Sequence, residues 1–222
     1  NLFAQKDEAG NVLIRKPASP GYETRPVVIL QSHMDMVCEK NSNSSHNFDK
    51  DPIIPWIDDE WVKAKGTTLG ADDGIGMAAQ MAILTSDDIE HGPLECLFTV
   101  DEETGLTGAA ALKPGFMNGK ILINLDSEDE GELFIGCAGG IDTVAVMNFK
   151  RRILPINHAP YRITVSGLKG GHSGDDIHRG LGNANKILTR FLWKATRDYK
   201  IRLAWMDRSE ERRVGKECRS RW

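Results

Sequence analysis

Residues 27 to 30 read Val-Val-Ile-Leu, an unbroken and mostly β-branched aliphatic run. That is the pattern of a strand buried on both faces, as in a parallel sheet covered by helices. Pro26 suits the first position of such a strand. Two further apolar runs, LECLFTV at 94–100 and KILINL at 120–125, predict the next two strands of the sheet. The glycine-rich stretch Gly66 to Gly76 (GTTLGADDGIG) is a turn that opens a helix over 75–86. This helix is apolar almost all round and is therefore expected to be buried. TGAAAL at 107–112 reads as a short helix, WIDDEWVKAK at 56–65 as a hairpin-like pair of short strands, and Asn11 to Ile14 as strand text. The Asn/Ser-rich stretch 41–51 reads as a surface loop. Strands alternating with helices give an α/β layered domain, and ligands of such sheets collect beyond the carboxyl ends of the strands.

The pattern changes after Gly139-Gly140. Two more strand candidates, 141–149 and 161–166, are followed by a glycine-rich turn at 167–174 that contains His172. A helix then carries Ala184, Ile187, Leu188, Phe191, Leu192 and Ala195 at helical spacing. Strand, strand and helix open a second, α+β unit that stops before it closes. The expected division is 1–138 and 139–207, with 208–222 set aside. That last segment, RSEERRVGKECRSRW, resembles the translation of a common short-read sequencing adapter at every position. A basic, solvated tail is the competing reading.

Composition narrows the function classes. The 222 residues are 40% hydrophobic and 27% charged, with a net charge of -4. Mild acidity without basic clusters argues against a nucleic-acid groove or a membrane-surface patch. No run reaches the length of a transmembrane helix. The four cysteines show no CxxC pairing, and Cys96 lies in an apolar run, so a reducing compartment, the cytoplasm, is expected. The chain starts at Asn1 with no targeting signal in view; a native start missing from the sequence is the alternative reading.

Four clusters carry possible chemistry. In His33-Met34-Asp35, residues two apart in extended chain point to one side, and a carboxylate beside a histidine can fix the ring tautomer. A structural histidine explains this motif about as well. Asp72-Asp73 precede a helix, where one aspartate serves as an N-cap; the pair leaves room for one carboxylate to bridge metal ions. Asp101-Glu102-Glu103 follow an apolar run, and adjacent acids repel unless a proton or cation compensates. Either a solvated loop or a metal ligand beside a general base accounts for them. Asp126 ends the third run directly, whereas residues 128–130 read as an acidic surface turn. His172, ringed by glycine and serine, is either a turn histidine or an exposed ligand-facing one. His46, His91, His158 and His178 have no comparable setting.

HMDM after VVILQS, TTLGADDGIGMA, DEETGLTGA, LDSEDEGELFIGCAGG and GLKGGHSGDDIHRGLGNANKIL occur in one order along the chain. Together they resemble the aminoacyl-histidine dipeptidase (Xaa-His dipeptidase, peptidase D) branch of the M20 metallopeptidases, over essentially all of residues 1–207. The resemblance implies a zinc-exopeptidase α/β catalytic domain, a mixed sheet flanked by helices, with an inserted α+β lid that is truncated here. It implies two divalent metal ions, zinc with cobalt or manganese as alternatives. His33, Asp72, Glu103 and Asp126 would be ligands, with Asp72 bridging. Asp35 would orient His33, Glu102 would be the general base, and His172 would meet the substrate, in many relatives across a dimer interface. The implied substrate is a small peptide, an Xaa-His dipeptide among others. A tripeptide, an N-acyl amino acid or another amide is a second reading, and a non-catalytic metal-binding or assembly protein a third. The family's last metal ligand is a histidine near the end of a longer chain, and none follows His178 here. One of the two metal sites is therefore expected to be weak in this chain, with little or no activity.

Overall fold

The computed structural model describes residues 2–41, 43–127, 131–137, 144–154, 156–169, 177–208 and 218–221, with backbone alone at 207–208 and 218–221. The chain divides into two units, Asn1–Gly139 and Gly140–Trp222. In the first, β1 (Phe3–Lys6), β2 (Val12–Lys16) and β3 (Val28–His33) precede a hairpin of β4 (Pro55–Asp58) and β5 (Trp61–Ala64). Helix α1 (Ala71–Thr85), strand β6 (Leu94–Thr99), the single turn of α2 (Thr107–Ala110) and β7 (Ile121–Asn124) follow. Five strands form a mixed sheet in the order β1-β2-β6-β3-β7. Strands β1, β2 and β6 are antiparallel neighbours, whereas β3 runs parallel to both β6 and β7.

Side chains alternate across this sheet as strand geometry requires. On one face Leu30, Cys96 and Phe98 pack with Leu84 of α1 and with Val12, Ile14, Val28 and Met77. On the other, Leu13, Ile29 and Leu97 pack against Leu112, Phe116 and Met117. The aliphatic run of β3 is thus covered on both sides, as its sequence predicts. Cys96 is enclosed, and burial pushes its thiol up to about 11.

One expectation fails in detail, and two features of the sheet carried no signal. Helix α1 buries one stripe, Asp73, Gly76, Gln80 and Leu84, and leaves Ile75 and Met81 exposed. An apolar composition does not bury a helix all round when it packs on a single sheet face. Among the described residues strand β7 has only β3 as a neighbour, and Ile121, Leu122 and Ile123 are exposed. Strand β1, which carried no recognised signal, pairs in register with β2 at the opposite edge.

The second unit holds β8 (Arg162–Val165), a 3₁₀ turn at Ile177–Arg179, helix α3 (Ala184–Asp198), β9 (Trp205–Arg208) and β10 (Cys218–Arg221). The side chain of Asn183 caps α3 by accepting from the Lys186 N–H at 2.9 Å. Ala184, Leu188 and Leu192 pack on Ile163, Val165 and Leu168, while Ile187 and Phe191 of the predicted stripe are exposed. The predicted strand at 141–149 is not formed at 144–149, where no described strand pairs with it. Strands β8, β10 and β9 lie antiparallel in that order, so residues 218–221, set aside on their sequence, lie in the middle of this sheet.

One buried charge ties the first unit together. Glu95, on β6, accepts from Arg15 Nε at 2.8 Å and from the N–H groups of Asn118 and Gly119 at 2.8 and 2.9 Å. The turn that leads into β7 is thereby fixed to the sheet. Burial by itself would raise this carboxyl, but the Gly119 N–H, Arg15 and the Asn118 N–H hold it below its ordinary value. A depressed folded-state pKa adds stability above the ordinary carboxylate range, and that stability is lost as pH falls through the folded-state value. Glu95→Gln should cost about 1.5–3 kcal/mol near neutrality, the worth of hydrogen bonds to a charged group. Urea denaturation should show the gap between variant and unaltered chain closing as the buffer is taken below about pH 4, the carboxylate range.

Candidate metal centre

The strand order explains why distant residues meet. Because β3 lies between β6 and β7 and parallel to both, the carboxyl ends of the three strands are adjacent. His33 ends β3, the 100–106 turn follows β6, and Asp126 follows β7.

His33 is 1% exposed. Its main-chain N–H donates to Asp73 Oδ2 at 3.2 Å. Ring Nδ1 lies 2.8 Å from the main-chain oxygen of Asp35, which places a proton on Nδ1 and leaves Nε2 as the lone-pair nitrogen of the neutral ring. Nε2 faces acids, with Asp72 Oδ1 at 2.9 Å and Asp126 Oδ1 at 3.6 Å. One donor atom each from His33, Asp72 and Glu103 lies within 4.8 Å of the other two. A lone pair and carboxylates at this range require a proton or a cation between them.

The titration of these groups records the crowding. Burial pushes the Asp126 carboxyl up to about 7, helped by its hydrogen bond to Asp72 and by the charges of Asp73 and Asp72, with His33 opposing. Burial also raises Asp73 above its ordinary value. His33 is raised too: burial works against its charge, but the hydrogen bond to Asp72 and the charges of Asp126 and Asp72 outweigh it. An imidazole nitrogen with several carboxylate oxygens is a donor set that suits zinc and accepts other divalent ions. The residues present fit such an ion.

Each acidic cluster divides its work. Asp73 Oδ1 accepts from the Gly76 N–H at 3.0 Å and so caps the regular part of α1. Asp72 carries non-helical φ and ψ and turns toward His33. Gly76 is required here, since a Cβ on it would stand 2.2 Å from Asp73 Oδ1. In the second cluster Asp101, with φ of 58°, accepts from the hydroxyls of Thr104 and Thr107 and holds the turn. Glu102 lines a cavity of about 160 Å³ together with Asp126, Gln31, Thr99 and Asn124.

Asp35 is placed differently from the simplest expectation. Its carboxylate is 3.5 Å from His33 Nδ1, and the closer ring contact is its own main-chain oxygen. The two carboxylate oxygens instead accept the N–H groups of Glu102, at 3.0 Å, and of Glu103, at 3.1 Å. Nothing in the HxD text signals this clamp, because its donors are backbone groups on another strand's turn. His172 lies outside the described residues. Asp73 and Asp101 belong to the acidic clusters of the sequence, but nothing there assigns either its scaffold role apart from the N-cap expected of one aspartate.

Fold and donor set together define an α/β protein with a carboxylate–histidine centre at the carboxyl ends of its parallel strands. Residues 29–200 match the family described as Peptidase family M20/M25/M40, and the chain belongs to that family. It is 53% identical to the cytosol non-specific dipeptidase of Escherichia coli (strain K12) over 202 residues, which cover 91% of this chain and 42% of that protein. Peptidase T of Lactobacillus helveticus is 25% identical over 201 residues, covering 78% of this chain and 47% of that one. Among solved structures, the aminoacylhistidine dipeptidase of Vibrio alginolyticus aligns with 99% of this chain and 45% of its own, at a TM-score of 0.62 and 47% identity. The chain spans less than half the length of these relatives.

The clamp on the Glu102-Glu103 turn is testable. Asp35→Asn keeps size but replaces one acceptor with an amide that faces a backbone N–H. Zinc affinity of the variant, measured by isothermal titration, should fall by about 10–100-fold, as for other outer-shell partners of metal ligands. Its circular dichroism should match the unaltered chain.

Proposed function

We propose that the whole protein is a metal-dependent dipeptidase that hydrolyses unblocked dipeptides, Xaa-His among them. The observation that carries the reading is the convergence of His33, Asp72 and Glu103 on one point, with Asp126 beside His33. Kinship with the Escherichia coli non-specific dipeptidase and the Vibrio aminoacylhistidine dipeptidase supports the substrate class.

In this reading His33 Nε2, Asp72 and Asp126 would hold one divalent ion, and Asp72 and Glu103 would serve a second. Zinc suits the donors, with cobalt and manganese as alternatives. Bound ions would supply Lewis acidity and lower the pKa of a water toward neutrality. Glu102, carried on the turn clamped by Asp35, would take the proton from a water attacking the scissile carbonyl. The same carboxyl then returns the proton to the leaving amine as the C–N bond breaks, so the residue ends as it began. The main-chain oxygen of Asp35 keeps His33 in the tautomer that offers Nε2. His172 is assigned to the substrate or its developing oxyanion, where a positioned donor is worth a few kcal/mol, about 3.

The proposal places the protein in the cytoplasm, in keeping with the name of the Escherichia coli relative; no described helix is long and apolar enough to cross a membrane. It takes a small peptide as partner, with neither nucleic acid nor membrane, and a homodimer formed through the second unit.

Turnover of β-alanyl-histidine and a dipeptide panel, with zinc, cobalt or manganese supplied to the whole protein, tests the reading. Hydrolysis of dipeptides in preference to tripeptides and N-acyl amino acids is expected; activity confined to the latter two would sink the substrate assignment. Glu102→Ala should leave bound metal nearly unchanged and lower kcat by at least about 100–10,000-fold, the worth of a general base. Turnover at the unaltered rate would show that the base lies elsewhere.

A further inference from the structure

Two strands of the first unit break their aliphatic text with an amide: Gln31 in β3 and Asn124 at the end of β7. These two residues are also the last register pair between the strands. Beyond it one more main-chain bond forms, from the Leu125 N–H to the Gln31 oxygen at 2.9 Å. The next N–H, that of Asp126, donates instead to Asn124 Oδ1 at 3.1 Å. From there side chains take over from the sheet. Asn124 Nδ2 donates to Gln31 Oε1 at 2.6 Å, and Gln31 Nε2 donates to Thr99 Oγ1 at 3.1 Å. Thr99 Oγ1 in turn donates to the Ser32 carbonyl at 3.3 Å.

The four bonds run head to tail across β7, β3 and β6. Each acceptor choice orients the next amide, so the row has one self-consistent polarity. Its two ends are backbone groups: the N–H of Asp126 and the carbonyl that precedes His33. The side chains of those two residues face each other at 3.6 Å. Main-chain pairing already holds β3 against β7, so the row is not needed to join the strands. What it does fix is Asp126, which lies past the reach of that pairing.

We propose that Gln31, Asn124 and Thr99 form a hydrogen-bonded strap that positions Asp126 against His33 and so sets the affinity of the metal site these two share. The strap rests on the metal-centre reading given above. Its members are positioning residues and none is among the candidate metal donors.

Cobalt titration of the 222-residue chain, followed by visible absorption, tests the strap. Asn124→Leu removes both bonds at similar volume, and Thr99→Val removes the hydroxyl at the far end. Both should weaken cobalt binding, the first by about tenfold or more, in line with other outer-shell partners. Asn124→Asp keeps an acceptor for the Asp126 N–H, and rotation of the Gln31 amide can meet its second oxygen. It should retain affinity close to that of the unaltered chain. Unfolding midpoints without metal separate a purely structural role, which would lower the midpoint and leave cobalt affinity alone. Should Asn124→Leu fail to fold, Thr99→Val carries the measurement. Folded variants that bind cobalt as the unaltered chain does would overturn the strap. An unaltered chain that gives no cobalt spectrum would overturn the metal-centre reading, and the strap with it.

Discussion

Carboxylates gathered around one buried imidazole are the constraint from which the rest of the first unit follows. Two carboxylates about 4 Å apart repel by about 4 kcal/mol at an effective dielectric of 20, while an ordinary hydrogen bond returns about 1 kcal/mol net. Hydrogen bonds alone therefore cannot hold Asp72, Asp126 and Glu103 near His33 in fully charged form. Protons or a cation must enter, and burial already pushes the Asp126 carboxyl up to about 7. The fold tolerates this crowding because three parallel strand ends and the start of α1 deliver the groups from separate elements. No single turn has to carry all the repulsion.

Much of that delivery was legible in the text. The aliphatic run at 27–30 pointed to a covered central strand, and the acids after 94–100 and 120–125 pointed to one rim of the sheet. Those readings rest on local hydrophobicity, which sheet burial obeys directly. Less legible was anything decided by neighbours. Strand β7 reads like β3 but sits at an edge, so Ile121 to Ile123 stay exposed. Helix α1 is apolar enough for full burial yet meets the sheet along one stripe. Residues 144–149 have strand-like composition and no strand partner among the described residues. Local pattern states what a segment can bury; it does not state how many faces will be offered a partner.

The paired acids show the same limit at the level of single residues. Asp72 and Asp73 are adjacent and chemically identical, yet the backbone gives them different neighbours. Asp73 caps the Gly76 N–H while Asp72 faces His33. In the next cluster Asp101 is taken up by two threonine hydroxyls, which leaves the adjoining glutamates to the cavity and the donor set. A sequence motif of consecutive acids thus mixes a scaffold residue with functional candidates. Only the backbone path separates them.

Asp35 carries this argument furthest. A carboxylate two residues from a histidine invites the reading that it steers the ring, and the ring is steered from Asp35, but by its main-chain oxygen. That substitution releases both carboxylate oxygens for the N–H groups of Glu102 and Glu103. One residue therefore couples two elements: the end of β3, where the imidazole sits, and the turn after β6, where the two glutamates sit. A shift of that turn would move the glutamates away from Asp72 and Asp126 together, since Asp35 joins both of their N–H groups to the end of β3. Because a near-attack arrangement tolerates displacements well below 1 Å, the clamp is the contact through which small backbone changes in either element would reach the chemistry.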